Sequence, residues 1–328
     1  MSGSLTNLDS CVSLSTSIGD ETPTKPGKKR QRQIALVEDI SRPILKWPGG
    51  KTRLLDDLVK LCPADLATSE GCYFEPFCGG AALFFRLRSL VTRSVLGDFN
   101  ADLVEFYTEV ARDPVGLHAC ASTIFRHHDA AFYYQAREAW NDLRGGWPAT
   151  QRAATLLYLN RACFNGLFRL NKAGKNNVPI GKASPGGGEW PSRPSLPRLI
   201  AASFSLQGVA LGSGDFEATS SNAMRGDFVY FDPPYLPATD RSAFAAYTGG
   251  GFALADHERL AAHARSLVDR GVRVMLSSVD TPLAREVLTG FRLTSVTSPR
   301  SINSSGAGRG KIGELIATGG YETAGTES

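Results

Sequence analysis

An open α/β sheet of mostly parallel strands, with helices on both faces, is the fold class the sequence predicts. Seven short runs read as strands: "CYFEPF" (72–77), "RSVLGDF" (93–99), "FSLQGVAL" (204–211), "DFVYFD" (227–232), "VRVMLSSV" (272–279), "FRLTSVTS" (291–298) and "KIGELIAT" (311–318). Several are apolar almost throughout, as strands covered on both faces must be. Helical patterns stand between them, "KTRLLDDLVKL", "AALFFRLRSL" and "LADHERLAAHARSLVDRG" among others. Strand alternating with helix is the pattern of a parallel sheet. One interval, 101–200, breaks the alternation and predicts an inserted helical domain.

In chain order, residues 1–33 come first, rich in Ser, Thr, Gly and Lys and containing "KPGKKRQRQ". Such composition buries too little apolar surface to order, so a disordered basic tail is expected over 1–41. It is solvated, grazes phosphates or serves as a localisation signal. Order is expected from residue 42. In "YFEPFCGGAALFF" a strand runs into a tight turn and then a helix. Gly79 and Gly80 remove Cβ where the backbone must bend. The insertion reads helical in "ADLVEFYTEVARD", "AFYYQAREAWNDL" and "QRAATLLYLNRACF". It then becomes a Gly/Pro/Asn/Lys-rich loop, which can vary without disturbing the sheet. The helix over "LADHERLAAHARSLVDRG" is expected to start near Asp256 and stop at Gly271.

Composition sets the outer limits. The 328 residues allow one large domain with an insertion or two modest ones. No apolar run approaches the ~20 residues of a membrane helix. The N-terminus lacks a charged-then-apolar leader pattern, so a cytoplasmic location is expected. Cys11, Cys62, Cys72, Cys78, Cys120 and Cys163 form no C-x-x-C pair. Reduced thiols and no metal are therefore expected. A net charge of +4 is only mildly basic.

The chemistry gathers at strand ends, where ligands sit in open α/β sheets. The glycine turn at 79–80 is neither G-x-G-x-x-G nor a Walker loop. Alone, it could simply pack a helix on the sheet. The next strand ends in "LGDFNADL", and an acid about twenty residues past a glycine turn is placed to take both hydroxyls of a ribose. Asp98 fits that position. Then comes "FVYFDPPYLP" (228–237). Two prolines cannot continue a ladder, so the strand closes at Asp232. The stiff turn presents the Asp232 carboxylate, the Pro233 carbonyl and the Tyr235 ring together. Two acceptors beside an aromatic plane match an exocyclic amine on a flat heterocycle. Holding both N–H bonds would localise the nitrogen lone pair for attack.

Six blocks in order resemble the motifs of the DNA adenine methyltransferase (Dam) family. They are "LKWPGGK" (45–51), "EPFCGGAALFF" (75–85), "LGDFNADL" (96–103), "NRACFNGLFRLNKAGKNNVPIG" (160–181), "DPPY" (232–235) and "SINSSGAGRGKIGELI" (301–316). The resemblance implies a Rossmann-like methyltransferase sheet, S-adenosyl-L-methionine as cofactor, and methylation of the N6 amine of an adenine flipped from double-stranded DNA. It implies a catalytic domain over 42–100 and 201–320, a DNA target-recognition domain over 101–200, and a flexible tail over 321–328. It assigns Trp47, Lys51, Asp98 and Asp232 to the cofactor site, and Phe77 and Gly79 match the family's glycine turn. The chain departs at Ala81, where the family usually has Gly; the methyl is expected to narrow the cofactor pocket. It departs again at "SSVD" (277–280), where relatives often carry Asn.

Residues 161–182 carry Arg161, Arg169, Lys172, Lys175 and Lys182, no acid, and Phe164 and Phe168 interleaved. Phosphate neutralisation explains the charge, and an aromatic wedge explains part of the rest. By resemblance to family members that methylate GATC, Arg169 and Lys46 would read guanines. Leu167 and Pro179 would contact the thymine methyl, and Asn165, beside Phe164, would fill the gap left by the adenine. Arginine's paired donors suit guanine O6 and N7. An RNA base-amine methyltransferase, a DNA cytosine-N4 methyltransferase and a non-catalytic DNA-binding module are the rival expectations. No membrane, metal or obligate protein partner is expected.

Overall fold

The computed structural model describes residues 42–171, 173–182, 190–235, 252–296 and 313–323. The basic tail, Lys172 and residues 301–312 of the last family-like block lie outside the described residues. Seven strands, β1 (Cys72–Glu75), β2 (Arg93–Asp98), β3 (Val209–Ser213), β4 (Phe228–Phe231), β5 (Arg273–Val279), β6 (Arg292–Val296) and β7 (Glu314–Gly319), form one sheet in the order β3-β2-β1-β4-β5-β7-β6. Pairing is parallel from β3 to β5, while β7 runs antiparallel between β5 and β6. This is the expected mostly parallel α/β sheet.

The apolar runs are explained by two cores. Successive side chains of a strand point to opposite faces. Tyr73, Phe228, Tyr230 and Met275 enter one core, whereas Phe74, Val229, Phe231 and Val274 enter the other. Every residue of β1, β4 and β5 is buried. Helices α1 (Leu55–Leu61) and α2 (Ala82–Leu87) contribute to the first core. The insertion follows as α3 (Ala101–Arg112), α4 (Pro114–Arg126), α5 (Ala130–Leu143), α6 (Ala149–Ala162) and α7 (Leu196–Leu206). Helix α3 packs on β2 and β3 as well as on α6 and α7, so one core runs from the sheet into the helices without a break. Helix α6 lies at the centre, buried continuously from Ala153 to Ala162. On the opposite face lie α8 (Phe216–Ser220), α9 (Leu254–Asp269) and α10 (Pro282–Val287).

Three boundaries differ from expectation. The strand expected over 204–211 begins only at Val209, because Phe204 to Leu206 end α7; both elements are apolar there, and Gly208 at φ 72 makes the turn between them. Asp256 does not start α9: Ala253 does, and Asp256 reaches back to accept its N–H at 2.8 Å. Residues 321–323, expected in a flexible tail, are tied down. The Tyr321 hydroxyl donates to the Leu61 carbonyl at 2.8 Å, and Thr323 pairs with Pro63.

The strand order reverses at β1. From there the chain steps through β2 to β3 on one side, and β4 and β5 follow on the other. The carboxyl ends of β1 and β4 therefore diverge above neighbouring strands, which opens a crevice at this switch point.

Candidate active site and nucleic-acid interface

A cleft of about 900 Å³ lies at that switch point, lined by Trp47 to Lys51, the 75–80 turn, Asp98, Phe216 and the 232–235 turn. It contains every residue the sequence assigns to catalysis or cofactor binding. Asp232 follows the buried β4, and Lys51 arrives from the 47–51 loop. Gly49 at φ 77 lets this loop fold back, with Gly50 N donating to Trp47 O at 3.1 Å. The Lys51 Nζ sits 2.6 Å from Asp232 Oδ1, side chains 4% and 17% exposed. This is a close ion pair outside hydrogen-bond geometry, since Asp232 Oδ1 has no hydrogen-bond partner among the described residues. Nζ also donates to Gly49 O at 3.0 Å and lies 4.6 Å over the Tyr235 ring. Burial alone would lower the Lys51 ammonium, but Asp232 and Tyr235 more than reverse it, so the lysine stays charged. Burial raises the Asp232 carboxyl above the usual range, and Lys51 limits the rise.

The other end of the cleft is the β1 turn. Gly79 has φ 46, and a Cβ there would come within 2.7 Å of the Trp47 ring, so the turn requires glycine twice over. Its N–H donates to Asp98 Oδ2 at 3.0 Å, and Asn100 N donates to Asp98 Oδ1 at 2.9 Å. The buried Tyr107 hydroxyl donates to Gly79 O at 2.8 Å. Phe77 stacks on Phe216 with centroids 5.5 Å apart, closing the wall. Ala81 does not narrow this cleft. It adopts φ 52 with its methyl fully buried in the core. The departure from glycine therefore strains the backbone, by about 1–2 kcal/mol, and leaves the pocket wall alone.

Glu75 was not singled out in the sequence, yet it lines the cleft at 3% exposure. Its Oε2 accepts from the Tyr73 hydroxyl at 2.8 Å and from Phe84 N at 3.1 Å. Burial pushes its carboxyl up to about 8, against those two hydrogen bonds. A carboxyl raised above its unfolded value takes up a proton on folding. The stability this gives is present below the unfolded value of about 4.3 and is lost as pH rises through the folded one. Glu75→Gln mimics the protonated acid, and its Oε1 can accept the same two donors. Its melting temperature should fall less than that of the parent protein between about pH 5 and 8. Parallel profiles across that window would show that Glu75 is ionised in the fold.

The loop expected to meet nucleic acid is stapled at several points. Residues 163–181 are stapled by a Cys163–Ile180 bridge, a Leu170–Asn176 bridge and Phe164 N donating to Pro179 O at 2.9 Å. Asn141 on α5 exchanges two hydrogen bonds with the Asn176 backbone, at 2.8 and 3.0 Å. Asn160 on α6 joins this loop to Lys46, next to the 47–51 loop. Its side chain accepts from Lys46 N at 2.9 Å and donates to Lys46 O at 2.6 Å and Gly166 O at 3.2 Å. A Cβ on Gly166 would overlap that of Lys46. Lys46, Phe164, Asn165, Arg169 and Pro179 are exposed around this junction, and Leu167 is half-buried. Arg169 Nε donates to Asn177 Oδ1 at 2.8 Å.

Part of the basic run does other work. Arg161 is buried on α6 and donates to the Ile44 carbonyl, so it braces the fold. Lys175 pairs with Asp142 at 2.6 Å. Phe168 stacks on Trp47, centroids 5.5 Å apart, and is half-buried; of the two phenylalanines only Phe164 is exposed enough to wedge.

A match across most of the chain accompanies this geometry. The family model of the D12 class N6 adenine-specific DNA methyltransferases spans residues 47–302. The chain belongs to this class. It is 36% identical over 278 residues to the type II methyltransferase M1.LlaDCHI of Lactococcus lactis subsp. cremoris, covering 84% of this chain and 95% of that protein. It is 34% identical to the type II methyltransferase M.MjaIII of Methanocaldococcus jannaschii, covering 81% of this chain and 94% of the other. The DNA adenine methylase of Escherichia coli (strain K12) is 34% identical over 281 residues, covering 84% of this chain and 95% of its own length.

As a member of this class the protein is an enzyme that methylates adenine in DNA. Among the described residues no group of His, Cys, Asp and Glu could hold a metal ion, and no helix is long and apolar enough to cross a membrane. Glu75, Tyr107, Asn160 and Phe216 take part in this geometry and were not singled out by sequence reasoning. Glu75 carried the same signal as Asp232, an acid closing an apolar strand just before a proline.

Proposed function

We propose that the enzyme takes the methyl group from S-adenosyl-L-methionine and places it on an adenine flipped out of duplex DNA, within GATC. The observation that carries this reading is the pairing of Asp232 with a ring-bearing turn, at one end of a cleft whose other end holds Asp98 and the glycine turn. The residues present fit the cofactor. Asp98 accepts from Gly79 N of the turn at Oδ2 and from Asn100 N at Oδ1, and each oxygen keeps another lone pair for a hydroxyl. Phe99, 83% exposed at the cleft rim, offers a face for an adenine ring. Acids outnumber bases among the lining residues, which suits a cationic ligand. S-adenosyl-L-methionine, when bound, supplies an electrophilic methyl group on a positively charged sulfur.

The remaining chemistry belongs to the chain. The Asp232 carboxylate and the Pro233 carbonyl accept the two amine hydrogens, and the Tyr235 ring stacks on the extruded base. Held this way, the nitrogen lone pair turns toward the methyl. The nitrogen would become cationic as its new C–N bond forms and the methyl–sulfur bond breaks with its electron pair left on sulfur, and Asp232 would stabilise that charge until a proton leaves to water. Residues 101–200 serve as the target-recognition domain, with the stapled 163–181 loop entering the major groove. Lys46 and Arg169 read guanines, Leu167 and Pro179 meet thymine methyl groups, and Phe164 and Asn165 fill the space of the adenine.

Single-molecule sequencing of DNA from cells expressing the enzyme tests the reading: modified adenines should lie in GATC. A different modified site would remove the sequence assignment and leave the chemistry at Asp232. Arg169→Ala should cost roughly 1–3 kcal/mol and relax specificity at one base. Uniform weakening on all sequences, with a salt slope smaller by about one, would make Arg169 a phosphate contact.

A further inference from the structure

We propose that Glu314 is the positioning residue that fixes the Tyr235 ring for the target base, an inference that rests on the stacking role given above to Tyr235. The Tyr235 hydroxyl lies 2.8 Å from both carboxylate oxygens of Glu314. Glu314 is 5% exposed, and no sequence motif connects residues 79 positions apart.

The sheet topology explains why the carboxylate arrives there. In parallel strands only the last residues reach the crevice. β7 is antiparallel, so its first residue, Glu314, lies opposite Val279 at the end of β5. That is the same edge of the sheet from which Asp232 projects. The reversed strand thus delivers an acid that a parallel strand would place at the far side.

The ring is held at its hydroxyl and over one face. The hydroxyl is anchored on a carboxylate, a charge-assisted bond roughly twice as strong as a neutral one. The Lys51 ammonium covers one face at 4.6 Å, and the same ammonium contacts Asp232 at 2.6 Å. The ring is therefore held at a set angle to the acceptor pair, with its other face presented to the base. Burial pushes the phenol up to about 12, so the hydroxyl keeps its proton and remains a donor. The sequence alone expects Tyr235→Phe to be milder than Tyr235→Ala because the ring is kept. The buried carboxylate makes the hydroxyl matter as well, since phenylalanine leaves Glu314 without this donor and loosens the ring.

The test measures methylation of a GATC duplex by the full-length enzyme, together with the fluorescence of 2-aminopurine at the target adenine, which aromatic stacking quenches. Tyr235→Phe and Glu314→Ala should each lower kcat by about tenfold to a hundredfold with little change in KM for DNA. The double variant should be no worse than either single one. Glu314→Gln, which keeps an acceptor, should recover most of the loss. The 2-aminopurine signal should be brighter with Glu314→Ala than with the parent enzyme. A Glu314→Ala enzyme that melts early but turns over and quenches like the parent overturns the proposal. If that variant does not fold, Tyr235→Phe decides, and full activity there overturns it. Full activity in Tyr235→Ala would instead remove the stacking role itself.

Discussion

Asp232→Ala is expected to lose at least about a hundredfold to a thousandfold in methyl transfer, the loss seen when one preorganised stabilising group is removed. Asp232 is the only carboxylate in the 232–235 turn, and the Lys51 ammonium holds it in place at 2.6 Å. Without it the amine keeps one acceptor, the Pro233 carbonyl, and the cationic nitrogen keeps no counter-charge. The fold should survive at a cost of about 3–5 kcal/mol for leaving the buried Lys51 ammonium unpaired, because the four residues of the strand stay buried in the two cores. Asp232→Asn separates the two functions. An amide oxygen still accepts one hydrogen bond but brings no charge, so its turnover should fall between the alanine variant and the parent. Radiolabelled methyl transfer to a GATC duplex measures both. Turnover of Asp232→Ala within tenfold of the parent would sink the mechanism.

Asp232 was legible in the sequence because its signal is local. An apolar strand, an acid and two prolines follow one another, and each residue's effect on the backbone is decided by its neighbours. Gly79 and Asp98 were legible for the same reason, each at the end of its own strand. Glu314 was not: its role depends on β7 running backwards between β5 and β6, which no pattern within "KIGELIAT" encodes. Arg161 failed in the opposite way. It sits in a run of bases, where the charge alone suggests phosphate, but helical phase turns it inward to the Ile44 carbonyl. Lys175 depends on Asp142, more than thirty positions upstream, which composition of the loop cannot show. Ala81 shows a third limit. The sequence told where the family's glycine is missing, but only the backbone angle told which way the methyl points.

Lys51→Met is expected to be nearly as damaging as loss of Asp232, and to change the pH dependence in a way no other variant should. Lys51 is buried and Asp232 is largely shielded, at 4% and 17% exposure, and breaking such a pair by removing one partner destabilises by up to about 3–5 kcal/mol. Burial already raises the Asp232 carboxyl, and the lysine is what holds it down. With methionine in its place the carboxyl rises further, so the acceptor for the amine is lost at a higher pH than in the parent. Raising the pH should restore the carboxylate and recover part of the turnover. Stability must move the other way. A carboxyl raised in the fold binds a proton on folding, so its contribution is present at low pH and lost as pH rises through the folded value. Activity climbing while the melting temperature falls, relative to the parent, is the expected signature. Removing both charges, in Lys51→Met with Asp232→Ala, should restore much of the stability and none of the activity, because no unpaired ion remains buried. A Lys51→Met enzyme with the parent's pH profile but weaker S-adenosyl-L-methionine binding in calorimetry would assign the lysine to the cofactor and not to Asp232.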